Sequence, residues 1–178
     1  MPPTKKTKRV VRKSASIVTP PTPEEVWRAL LTDREFASQP DAMKQILRPF
    51  VGALPTVLAD LLDQPATVKT ILTAKIAYMR YGFDNGLIEA SVGAAPEALR
   101  GIFEANDIKE MLQDAMQMIE EIVKDIPGFL QQIGVTERDF LTNPKVGLSG
   151  EALSLYDKGQ LTIGELLRLQ PILIVKNN

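Results

Sequence analysis

The sequence predicts an all-α protein: a compact bundle of five to seven helices with an extended basic N-terminal arm and an extended apolar C-terminal tail. Three observations lead there. Apolar residues recur at i, i+3, i+4 and i+7 through most of the chain, the period of an α-helix with one buried face. Capping signals and Pro/Gly breaks punctuate these stretches at helical lengths. The strand-like tail Ile172 to Val175 stands alone, and one isolated strand cannot build a sheet. With 178 residues, 44% apolar and 24% charged, the chain is the size of one domain able to bury a core.

Four segments follow in order. Residues 1–18 form the arm, in which Lys5, Lys6, Lys8, Arg9, Arg12 and Lys13 accumulate charge with no acid before Glu24. Like charges at this density repel, so the arm is expected to gain order only from a partner. No apolar stretch follows it as in a secretory signal. Residues 19–23, Thr-Pro-Pro-Thr-Pro, read as a stiff linker. Residues 24–171 are the helical body, and residues 172–178 the extended tail.

Within the body, Thr22-Pro23-Glu24-Glu25 is a capping box with proline at the first helical position, opening a helix to about Leu31 that carries the only tryptophan, Trp27. Residues 39–63 look helical but are broken by Pro49, Gly52 and Pro55 into two short helices joined by a kink. Residues 66–82 are a cleaner helix, with Val68, Ile71, Leu72, Ile76 and Met79 on one face. Gly82, Asn85 and Gly86 end it, and Pro96 opens a short helix closing near Gly101 or Phe103. The strongest periodicity lies at 107–126, where Ile108, Met111, Leu112, Ala115, Ile119, Ile122, Val123 and Ile126 make a continuous stripe that Pro127-Gly128 stops. The core is therefore expected to depend on this helix. Shorter pieces follow: one closed by Gly134, others opened by Thr136 and Ser149, and a capping box at Thr162–Glu165 whose helix ends before Pro171.

Chemistry is narrowed by what the chain lacks. It has no cysteine and no histidine. That removes disulfides, thiol nucleophiles, zinc–thiolate sites, the usual triads and the commonest general base. No phosphate loop, dinucleotide fingerprint or nucleophile elbow occurs. Asp107, Glu110, Asp114, Glu121 and Asp125 share a helix face, but metal ligands converge from several elements, and a solvated acidic face is the expectation. The sequence thus points to a protein that is not an enzyme and needs no cofactor, metal or small-molecule substrate.

Charge points to a partner instead. The net charge is −1, yet residues 1–83 carry +6 and residues 84–178 carry −7. Such asymmetry favours a polyanionic partner for the first half, or head-to-tail self-association. Candidate nucleic-acid-binding residues are the six arm cations, Lys44 and Arg48 four apart on one face, and Lys69, Lys75 and Arg80 of the next helix, where Tyr78 and Tyr81 lie nearby. Nothing suggests reading of base sequence. The other expected partners are copies of the chain or a paralogous subunit, brought together partly through the tail.

The basic arm Lys5–Lys13, the Thr19–Pro23 hinge, the helical body and the absence of Cys and His give the chain an architecture that resembles the major capsid proteins of filamentous archaeal viruses. The resemblance implies a virion protein in a helical nucleocapsid whose paired subunits wrap double-stranded DNA, in A-form, without sequence preference. Membrane contact would come only through an envelope. The acidic second half departs from an evenly basic coat and would face away from DNA or toward other subunits. Two other classes fit the same features: a cellular DNA- or RNA-associated protein of cytoplasm or nucleoid, and a helical adaptor whose basic arm is a targeting or tethering tail.

Overall fold

The structure is a computed structural model that describes residues 19–94 and 104–176. The arm, residues 1–18, and the short helix expected after Pro96 lie outside the described residues. What is described is all-α. Among the described residues six helices reach eight residues or more, and shorter helical pieces of three to seven residues complete the chain.

Helix α1 (Pro23–Leu31) starts as its capping box requires. Thr22 Oγ1 accepts from Glu25 N at 3.1 Å, and Glu25 Oε1 accepts from Thr22 N at 2.8 Å. Val26, Trp27 and Leu30 share its buried face. Asp33 caps the single turn α2 (Arg34–Ala37), accepting from Phe36 N at 2.8 Å, and this aims the Phe36 ring edge-on at Trp27, 5.6 Å between centroids. Helix α3 (Asp41–Gly52) runs through Pro49, and the expected break falls at Ala53, followed by α4 (Leu54–Val57) and a 3₁₀ turn at Ala59–Leu61.

Residues 62–66 run antiparallel to residues 161–164. Ala66 N donates to Leu161 O at 2.8 Å, Ile163 N to Gln64 O at 3.0 Å and Gly164 N to Leu62 O at 3.0 Å. Gly164 permits this close approach: a Cβ would stand 3.2 Å from the Leu62 carbonyl oxygen, and the backbone there would have to shift by a few tenths of an ångström. Thr67 and Thr70 cap each other reciprocally to open α5 (Val68–Asp84), which buries Val68, Ile71, Ala74, Tyr78 and Met79. Gly86, at φ +81°, turns the chain into α6 (Leu87–Gly93).

Helix α7 (Ala105–Lys124) spans most of the strongly periodic stretch but ends earlier than expected. Asp125 stops it and caps α8 (Ile126–Ile133), accepting from Gly128 N at 3.0 Å. Pro127 therefore sits in the first turn of a new helix, where its missing N–H costs nothing. Gly134, at φ +75°, closes α8. Three short helices, α9 (Glu137–Thr142), α10 (Gly150–Asp157) and α11 (Ile163–Leu169), complete the body.

The tail is corrected at Ile172–Val175. These residues are not extended; they form a helical turn, α12, entered from Pro171 in right-handed helical conformation. Val175 N donates to Pro171 O and Lys176 N to Ile172 O, so the turn satisfies donors that a partnerless strand would leave open. Leu173 and Ile174 are buried, α12 packs on α5, and extended backbone begins only at Lys176. The core is built mainly from α1, α5, α11 and α12, and Phe36, Val51, Leu54, Leu141 and Ala152 join it from α2, α3, α4, α9 and α10. The role expected of the 107–126 helix is also corrected: α7 buries only Met116 fully, and Ile119 is half-buried.

Candidate nucleic-acid interface

Cationic side chains are the groups that would meet phosphates, and the fold disposes of them unequally. Fourteen Lys and Arg stand among the described residues against twenty-one Asp and Glu, for −7. Seven of the fourteen are ion-paired: Lys44, Arg80, Lys109, Lys124, Arg138, Arg168 and Lys176. The firmest pair is bidentate, with Arg138 donating to Asp157 at 2.8 and 3.1 Å. Those hydrogen bonds hold the Asp157 carboxyl below its usual range.

Of the residues expected to bind nucleic acid, the six arm cations lie outside the described residues. Lys44 and Arg48 both belong to α3 and serve the fold. Lys44 Nζ donates to Ala37 O at 2.9 Å and pairs with Asp41 at 3.4 Å. The Arg48 guanidinium lies over the Trp27 ring, 5.5 Å from its centroid. Together with the Trp27–Phe36 contact, they tie α3 to α1 and α2.

The three α5 cations are not brought together on one face. Lys69 is exposed, with no ion pair among the described residues. Arg80 pairs with Glu120 of α7 at 3.3 Å, so a carboxylate forty positions away neutralises part of this surface. Lys75 points elsewhere, into an apolar cleft of about 90 Å³ lined by Val68, Ile71, Leu72, Phe140 and Leu173. Its ammonium donates to the Lys176 carbonyl oxygen and has no carboxylate partner among the described residues. Lys145 and Lys176 line the same cleft. Burial, followed by the charge of Lys176, pulls the Lys75 pKa down to about 8. The tyrosines are structural as well: Tyr78 is buried, and Tyr81 meets Phe50 edge-on at 6.0 Å.

Sequence reasoning did not single out Arg28 and Arg34, which lie beside Trp27 and Glu35 in the chain and carry no ion pair among the described residues. It also placed Met111 in the core stripe of α7, whereas Met111 and Met118 are 71% and 65% exposed. The signal was present in the width of the stripe, since positions 108 to 123 cover too broad an arc for one neighbouring helix to hide.

Among the described residues, no group of three or more carboxylates converges as a metal site, and no helix is long and apolar enough to cross a membrane. No protein-family model, curated protein or solved structure matches the chain.

Proposed function

We propose that the chain is a structural nucleic-acid-packaging protein, a virion coat subunit that wraps double-stranded DNA nonspecifically through its N-terminal arm. Copies of itself or a paralogous subunit are its other partners. The reading assigns it no catalytic role and no cofactor.

One observation carries this reading: the separation of charge between arm and body. The arm holds six cations and no acid, while the described body is at −7 with half its cations already paired. A polyanion is repelled by such a body as a whole and attracted by the arm, so the arm must supply the phosphate contacts. Lys44, Arg48 and Arg80 have structural or ionic partners, leaving Lys69 as the most available body cation of the expected set. Phosphate contacts without base contacts fit packaging better than sequence recognition.

Deleting residues 1–16 from the full chain tests the reading. Six neutralised phosphates correspond to a slope of about −5 in log K against log salt concentration for duplex DNA. Full-length protein should approach that slope, and the truncated protein should lose most of both affinity and slope. Equal affinity and slope in the two proteins would overturn the reading. Electron microscopy of the full chain with DNA adds the architectural check: filaments support a coat subunit, and discrete complexes favour a cellular binding protein.

A further inference from the structure

Helix α7 carries two adjacent apolar stripes, and the second is half-buried at Ala115 and Ile122 but exposed at Met111 and Met118. Leu112, Met116, Ile119 and Val123 lie on the side that packs toward α5 and α6. Met111, Ala115, Met118 and Ile122 follow one another at spacings of four, three and four, so they form a second stripe one step round the helix. Its two methionines are the most exposed large apolar side chains among the described residues. Along its outer edge, at matching helical positions, stand Asp107, Asp114 and Glu121, with Glu110 just beyond, all exposed. Asp107, Glu110 and Asp114 have no ion pair among the described residues. An apolar strip edged by free carboxylates suits a segment that is both basic and partly apolar. Methionine side chains adapt readily to such a guest.

The chain itself contains that segment. Residues 5–13 carry six cations around Val10 and Val11. The arm leaves the body at Thr19, whose carbonyl accepts from Arg168 of α11, whereas α7 packs on α5, α6 and α8. Lys5 stands fourteen residues before Thr19, which gives the arm an extended reach of about 45 Å, enough to meet a neighbouring molecule.

We infer that the exposed Met111–Met118 face of α7, with its flanking carboxylates, receives the basic arm of a second copy of the chain. The contact is heterologous, arm to helix, so its repetition joins copies head to tail. One arm cannot lie on α7 and on phosphates together, so nucleic acid competes with α7 for it. That competition rests on the function proposed above; the docking does not.

The chain has no cysteine, which makes pairwise cross-linking specific. Full-length Val10→Cys and Met118→Cys proteins are mixed at low salt under mild oxidation, and the mixed disulfide dimer is followed by mass spectrometry. A Lys158→Cys protein in place of Met118→Cys reports random collision from another exposed position. The Val10–Met118 pair should link at least about tenfold faster than the control. The excess should vanish at high salt, where charge attraction is screened, and when Asp114→Asn and Glu121→Gln are added to the α7 partner. Equal rates for the two pairs would overturn the inference. So would linking confined to a chain carrying both cysteines and running as a monomer, because the arm would then occupy its own α7. Excess duplex DNA should bring the rate to the control value. Duplex that binds in fluorescence anisotropy without slowing the link would overturn the competition. Duplex that does not bind at all would overturn the proposed function and leave the low-salt rates to decide the docking.

Discussion

Residues 105–124 and residues 163–175 are both helical, and they bury apolar surface in different ways. Helix α7 is long and sharply two-faced, with its carboxylates on one side and its apolar stripes on the other. Helices α11 and α12 are short, and their thirteen-residue span has only Glu165 and Arg168 as charged residues. Ile163, Leu166, Leu167 and Ile174 are fully buried there, while α7 buries one methionine. Amphipathicity records how unevenly a helix divides its surface, and an uneven helix belongs at a boundary. A helix apolar on nearly every side belongs at the centre. Periodic strength alone therefore does not mark the core: the most sharply two-faced long helix, α7, stands at the edge, while α11 and α12, too short to show a period, are among the most completely buried segments.

The largest expected effect sets the two regions directly against each other. Leu166→Ala removes a fully buried side chain and should cost about 2–5 kcal/mol in denaturant unfolding. Ile119→Ala, at a half-buried position of α7, should cost about 1 kcal/mol. Equal losses at the two sites would break the contrast and return α7 to the core.

Lys75 sharpens the contrast from the core side, because it brings a charge under α12. Its ammonium is easier to deprotonate in the folded chain, with a pKa of about 8 against the ordinary 10.5. Between those values the unfolded chain holds more protons, so stability rises with pH through that window. The penalty from the buried charge is complete below about pH 8 and fades toward pH 10.5. Lys75→Met should accordingly raise stability at pH 7 by about 1–3 kcal/mol, less the hydrogen bond to Lys176 O, with the gain shrinking as pH rises. Urea unfolding at pH 7 and pH 10 reads both values. A gain independent of pH would show that packing, not charge, is responsible.

How much of this was legible in the sequence follows from the same physics. Local signals were sound where partners are three or four residues apart: Thr22 with Glu25, Thr136 with Asp139, Thr162 with Glu165, and Gly134 at a helix end. The all-α class follows from such signals. The turn at Ile172–Val175 was not legible, because β-branched residues favour extension until a core surface offers burial and Pro171 sets a helical entry. The basic face of α5 was overread for a related reason. Spacing puts Lys69 and Arg80 in register, but only the fold brings Glu120 to Arg80 and turns Lys75 inward. The arm and the anionic balance of the body were both legible as charge, and the fold adds which body cations are already ion-paired.

The smallest expected effect on stability tests the outer stripe of α7. Met118 is 65% exposed, so Met118→Gln removes little buried surface. Glutamine is about as good a helix former as methionine, and the unfolding free energy should stay within about 0.5 kcal/mol. A side chain that contributes nothing to its own fold can still contribute to an interface, and the two roles separate experimentally. Light scattering at low salt should show weaker association for the variant than for the parent chain, while the denaturant midpoints coincide. Asp114→Asn should act in the same direction through charge, and added salt should erase its difference from the parent. If Met118→Gln instead lowered the unfolding midpoint by an amount typical of a core position, the stripe would be folded against its own body in solution, and α7 would lose the boundary role that distinguishes it from α11 and α12.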